Sequence, residues 1–170
     1  MITVTYTSKD ACERDLMAGP FYIEVDPAPE ATVTVPEFPA DIACADAADW
    51  TAGNATYTNG LTGLCEISGE LEAEVSKDYN ACGGTITVSY YGYDQCQNPL
   101  SAGPFTINVM PAPEATVTAP EFPANIMCSM AADFEAANAT YSNGLEGTAC
   151  EISGEIEAVV VKDYDACGGT

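Results

Sequence analysis

The amino-acid sequence predicts an all-β chain built as tandem, disulfide-carrying β-sandwich repeats, and three observations point there. A long internal repeat runs through all 170 residues. Apolar and polar residues alternate with period two along most of it. Eight cysteines recur at matching positions, and histidine is absent.

The repeat sets the organisation. PAPEATVT begins at Pro27 and again at Pro111, 84 residues later. The match continues through EFPADIAC and EFPANIMC, NATYTNGL and NATYSNGL, CEISGELEA and CEISGEIEA, and KDYNACGGT and KDYDACGGT. One extra residue near Ala149 lengthens the later offset to 85. The start of the chain keeps the same phase, since ITVTY at Ile2 matches ITVSY at Ile86 and AGPF recurs at Ala18 and Ala102. Units of about 20–50 residues make solenoids, so a period this long reads as one small domain. The expected division is 1–26, the end of one repeat; 27–110, a complete repeat; and 111–170, the beginning of the next. The sequence reads as two periods of a longer array. Pro27-Ala28-Pro29 and Pro111-Ala112-Pro113 are the expected linkers, because proline fixes φ and cannot donate to a strand ladder.

Each strand has its own signal. Ile86, Val88 and Tyr90 alternate with Thr87 and Ser89, and Phe105, Ile107 and Val109 with Thr106 and Asn108. Glu70, Glu72 and Glu74 alternate with Leu71, Ala73 and Val75, which reads as one strand with an acidic face and a buried face. Asn59-Gly60, Gly83-Gly84 and Gly103-Pro104 punctuate these runs as turns. The alanine-rich stretch from Ala45 to Ala52 fits at most a short helical turn. About seven short strands per period indicate an immunoglobulin-like sandwich. Trp50 and Phe134 are equivalent and are expected in the core.

Composition excludes several functions. Twenty-six acidic against four basic residues give a net charge of −22. The four cations are Lys9, Arg14, Lys77 and Lys162. Such a surface repels nucleic-acid phosphates and anionic lipid, and no apolar run approaches the ~20 residues of a membrane span. Without histidine there is no Ser-His or Cys-His catalytic pair, so the chain reads as no enzyme. The carboxylate runs Glu70-Glu72-Glu74 and Glu155-Glu157 read as solvated strand faces. Calcium is the alternative use of the acids, with Asp41, Asp46, Asp49, Asp78 and Asp94 in or near loops. Asp49/Asp133 and Asp78/Asp163 recur as acids and Asp94 matches Asp10, whereas Asp41 becomes Asn125 and Asp46 becomes Met130, and no EF-hand loop is present. The expected cofactor set is therefore none, with calcium as the one candidate. Asn54-Ala55-Thr56 and Asn138-Ala139-Thr140 match the glycosylation sequon but read as strand starts.

The cysteines lack CxxC spacing, which points to structural disulfides in an exported protein. Cys82 and Cys96 bracket a long strand and lie at opposite ends of the sandwich, so they cannot pair. A first strand ending at Cys44 brings that residue to the end where Cys82 sits, and Cys65 falls near Cys96. The preferred pairs are Cys44–Cys82, Cys65–Cys96 and Cys128–Cys167. Cys12 and Cys150 then take partners outside the segment.

Taken together, DIAC, CEISG, CGGTITVSY, and DQCQNP or DACERD before an AGPF strand resemble the HYR-like repeats of very large surface adhesins. They look like the repeats of the SprB-type gliding-motility adhesins of Bacteroidetes. HYR-type repeats read D-x-x-G-N after the long strand, whereas Asp10 and Asp94 are followed by loops without that glycine. The resemblance implies an immunoglobulin-like fold, export to the cell surface and a filamentous adhesin moved by a motor. The expected function is a structural stalk or filament repeat of such an adhesin. The alternatives are a calcium- or carbohydrate-binding adhesion module and an accessory repeat of a secreted enzyme. Expected partners are neighbouring repeats of the same chain and, through other regions, the motility or secretion machinery. Nucleic acid and membrane insertion are not expected.

Overall fold

The structure is a computed structural model describing residues 1–169. It is mostly strand, as the alternation predicts, and the core gathers in residues 27–110. There β3 (Thr32–Thr34), β5 (Ala55–Thr58) and β6 (Ser68–Leu71) form one antiparallel sheet, following the N-terminal hairpin of β1 (Ile2–Lys9) and β2 (Asp15–Ile23). A second sheet has the order β4-β9-β8-β7, from β4 (Asp41–Ala43), β9 (Pro99–Met110), β8 (Gly83–Tyr93) and β7 (Ala73–Asn80). Both sheets feed one core: Ala55, Tyr57 and Leu71 from the first, and Ile86, Val88, Tyr90, Leu100, Ile107 and Val109 from the second. Each of these sits in the apolar phase of its strand.

One detail differs from the alternation read in the sequence. The run from Glu70 to Val75 is not one strand. It breaks at Glu72, where the chain passes from β6 in one sheet to β7 in the other. The apolar phase survives the crossing because both sheets face the same core, with Leu71 buried and Ala73 and Val75 half-buried. The alanine-rich stretch yields only α1 (Cys44–Ala47), and Lys77 Nζ donates to the Ala48 carbonyl just past its end at 2.6 Å. A cation there satisfies a carbonyl the helix leaves open. Lys162 makes the same contact to Ala132.

The second period forms β10 (Thr116–Thr118), α2 (Cys128–Ala131), β11 (Ala139–Ser142), β12 (Ser153–Ile156) and the short pair β13 (Tyr164–Asp165) and β14 (Gly168–Gly169). The sheet β10-β11-β12 repeats β3-β5-β6 in register, since Val33↔Tyr57↔Gly69 becomes Val117↔Tyr141↔Gly154. A side chain at either glycine would displace the tyrosine ring that crosses it. A Cβ on Gly69 would lie 2.6 Å from the Tyr57 hydroxyl, and on Gly154 2.5 Å from that of Tyr141.

Candidate functional site

The end of the first period where β9 stops is the best-built feature of the surface. β4 runs parallel to β9 with Ala43 opposite Met110, so Cys44 arrives beside the point where the chain leaves the sheet. The chain leaves through Pro111-Ala112-Pro113. Ala112 is the one residue of the three with an N–H, and it donates to the Ala81 carbonyl in the β7–β8 turn at 2.9 Å. The linker is thereby fastened to the period it leaves.

β10 and β11 pair with Thr116 opposite Ser142, which returns the loop after Ser142 to the same place. Asn143 organises that loop. Its Oδ1 accepts from the N–H groups of Leu145 and Ile152, and its Nδ2 donates to the Cys150 carbonyl at 2.8 Å. Cys150, 1% exposed, reaches Cys44, 2% exposed, and the two form a disulfide across a sequence separation of 106. Ala112 and Leu145 pack against the same cluster. In the chain-entropy picture a loop this long makes the bond worth about 4–5 kcal/mol.

This corrects the expected pairing. Cys44 bonds Cys150, so Cys44–Cys82 does not form, and Cys150 finds its partner inside the chain. Cys65–Cys96 and Cys128–Cys167 are not formed either. Cys12, Cys65, Cys82, Cys96, Cys128 and Cys167 carry exposed thiols. The pole assignment behind the expectation is sound, because Cys44 Sγ lies 3.4 Å from the carbonyl oxygen of Asn80, two residues from Cys82. What it omitted is the second period, whose loop occupies that end first. Cys82 is also held outward. Its N–H donates to Asn80 Oδ1 in a tight turn, and Cys12, Cys96 and Cys167 occupy the same place in turns capped by Asp10, Asp94 and Asp165.

The loop that lacks the expected glycine keeps its glycine-like backbone. Glu13 and Gln97, at the glycine position, have φ of 62° and 65°, in the left-handed region that non-glycine residues seldom adopt. Asp94, 3% exposed, supports the turn. Its carboxylate accepts from Asn98 Nδ2 at 2.9 Å and from the N–H groups of Asn98 and Cys96, each at 2.8 Å. These bonds, led by the Asn98 side chain, hold its pKa below the ordinary aspartate value. Asp10 is lowered by the N–H groups of Arg14 and Cys12 and by the Arg14 side chain.

The other candidate calcium ligands are not brought together. Asp41 Oδ1 accepts from Asn108 Nδ2 at 3.0 Å. Among the described residues, no three histidine, cysteine or acidic side chains converge as a metal-binding group. Asn54 and Asn138 donate to Glu70 and Glu155 across the sheet, in the same way in both periods. Trp50 is half-buried, edge-on to Phe38 at 6.3 Å between centroids. No helix in the described residues is long and apolar enough to cross a membrane. Comparison with family models, curated proteins and solved structures finds no match to this chain.

Proposed function

We propose that this chain is a structural repeat of a surface filament. It consists of immunoglobulin-like domains stapled end to end, and it supplies reach and stiffness to a large extracellular adhesin of the gliding-motility type. The observation that supports the reading is the disulfide from Cys44 in one period to Cys150 in the next, with the linker tied down beside it. A covalent bond between consecutive domains removes hinge freedom, which a stalk needs and a self-contained binding module does not. The equivalence of Cys128 to Cys44, and of Cys65 to Cys150, extends the same staple to further periods. The net charge of −22 keeps a crowded filament soluble and opposes adhesion to anionic surfaces within the ~8 Å reach of charge in physiological salt.

Small-angle scattering of the oxidised chain, compared with the chain carrying Cys44→Ser, tests this. An extended particle that becomes measurably more flexible when the bond is lost supports a stapled stalk. An oxidised chain as flexible as the variant contradicts it. Saturable, salt-resistant binding of the oxidised chain to polysaccharide or cells at micromolar concentration also contradicts it.

A further inference from the structure

The Cys44–Cys150 bond decides which parts of the chain bear load when the molecule is pulled. It joins positions 106 apart in sequence, so tension applied outside that loop crosses at the two sulfurs and leaves residues 45–149 slack. Those residues hold the Pro111-Ala112-Pro113 linker and both strands of the β8–β9 hairpin, whose Ile86, Val88, Tyr90, Ile107 and Val109 are at most 1% exposed.

Equivalence between the periods places the neighbouring staples. Cys65 stands where Cys150 does and Cys128 where Cys44 does, and both carry exposed thiols. Within residues 27–110 the two staple positions lie at opposite ends. Cys44 Sγ is 3.4 Å from the Asn80 carbonyl oxygen, just before β8 begins. Cys65 lies shortly before Ser68, whose carbonyl accepts from Gln95 Nε2 at 2.6 Å just past the end of β8. The two cysteines are 21 positions apart, and the chain between them includes α1 and β5. β5 is the central strand of its sheet, paired with β3 on one edge and β6 on the other, and its Ala55 and Tyr57 are buried. Pulling it out breaks two ladders at once. Residues 128–150 are built alike, with β11 between β10 and β12.

We propose that tension along the array travels through the staples and not through the linkers. In each period the load passes between the two staple positions, along residues 44–65 or their counterparts 128–150, with the central strand as the loaded element. The load path rests on the stalk reading, which supplies the staples at Cys65 and Cys128. Its consequence is a limit on stretch. At ~3.5 Å per residue the 21 positions from Cys44 to Cys65 span at most about 75 Å even when unfolded, whereas the 84-residue period of the peptide chain spans about 290 Å. The filament therefore stretches little under load, and the β8–β9 hairpin is never pulled directly.

Optical tweezers test it, with handles on the exposed Cys65 and Cys128 thiols of the oxidised chain and serine replacing Cys12, Cys82, Cys96 and Cys167. Through the bridge, 21 and 22 positions of chain separate the handles, and unfolded they span about 150 Å. Through the peptide chain the handles are 63 positions apart, which span about 220 Å. Oxidised molecules should stop at the shorter length, and the variant Cys44→Ser with Cys150→Ser should reach the longer one. If that variant does not fold, a dithiol reductant makes the same comparison on the unfolded oxidised chain. It splits the bridge into two thiols, is itself oxidised to a disulfide, and should release a further ~70 Å. Oxidised molecules that reach the longer length without reductant overturn the load path, and so does a shorter limit that reductant leaves unchanged. The stalk reading fails separately: an oxidised chain that scattering shows to be flexible, yet stops at the shorter length, keeps the load path at this junction and removes the stalk. A stiff chain that extends to the longer length does the reverse.

Discussion

At the scale of single residues, the acids divide into those that shape turns and those that carry charge. Asp94 is a turn-former: nearly buried, with three hydrogen bonds to its carboxylate. Its folded pKa lies below that of the unfolded chain, so its contribution is present above the ordinary aspartate pKa of about 3.9 and is lost as pH falls through the folded value. Asp94→Ala should therefore lower the thermal unfolding midpoint at neutral pH, and the gap from the parent should close below about pH 4. A gap that persists unchanged in acid would show that the charged carboxylate is not what supports the turn. The sequence placed Asp94 in a loop and offered it to calcium. Its true role depends on Asn98, four residues on, and on a left-handed Gln97, which composition does not reveal. The cysteines show the same limit. Their repetition marked them as structural, but the Cys44 partner lies in another period, and topology within one period could not select it.

At the scale of elements, alternation was a sound guide wherever a strand had a neighbour. β8 and β9 were legible from their apolar phase because both lie inside a sheet. The acidic run at Glu70 was legible as strand but not as two strands, since period two continues across the crossover at Glu72. Residues 111–169 match 27–84 closely, yet among them no strand answers β4 and only the two residues of β13 answer β7, because a strand needs a partner for its N–H and C=O groups and the described residues include no counterpart of β9 and only the start of β8. Cross-strand fit is testable at Gly69, which faces Tyr57. Gly69→Ala should cost about 1–3 kcal/mol in chemical denaturation, the usual cost of overpacking. Adding Tyr57→Phe, which removes the hydroxyl at 2.6 Å, should recover part of it. No recovery would mean that the alanine acts through the backbone.

At the scale of the whole molecule, the account rests on two consecutive periods being held as one unit by Cys44 and Cys150. The 84-residue repeat was readable without a structure. The way neighbouring periods meet was not, because the contact depends on the β4–β9 pairing and on the Asn143 loop arriving at one end. The test is to map the disulfide in the native, unreduced protein by mass spectrometry. Trypsin does not distinguish the pairings, because it leaves Cys82 and Cys150 on one peptide, between Lys77 and Lys162. A glutamate-specific protease separates them. The account predicts peptide 38–66, which carries Cys44, joined to peptide 147–151, which carries Cys150, and cysteine-to-serine replacement at Cys65 confirms which thiol of 38–66 is used. Peptide 38–66 joined instead to peptide 75–114, which carries Cys82 and Cys96, with 147–151 free, would contradict it.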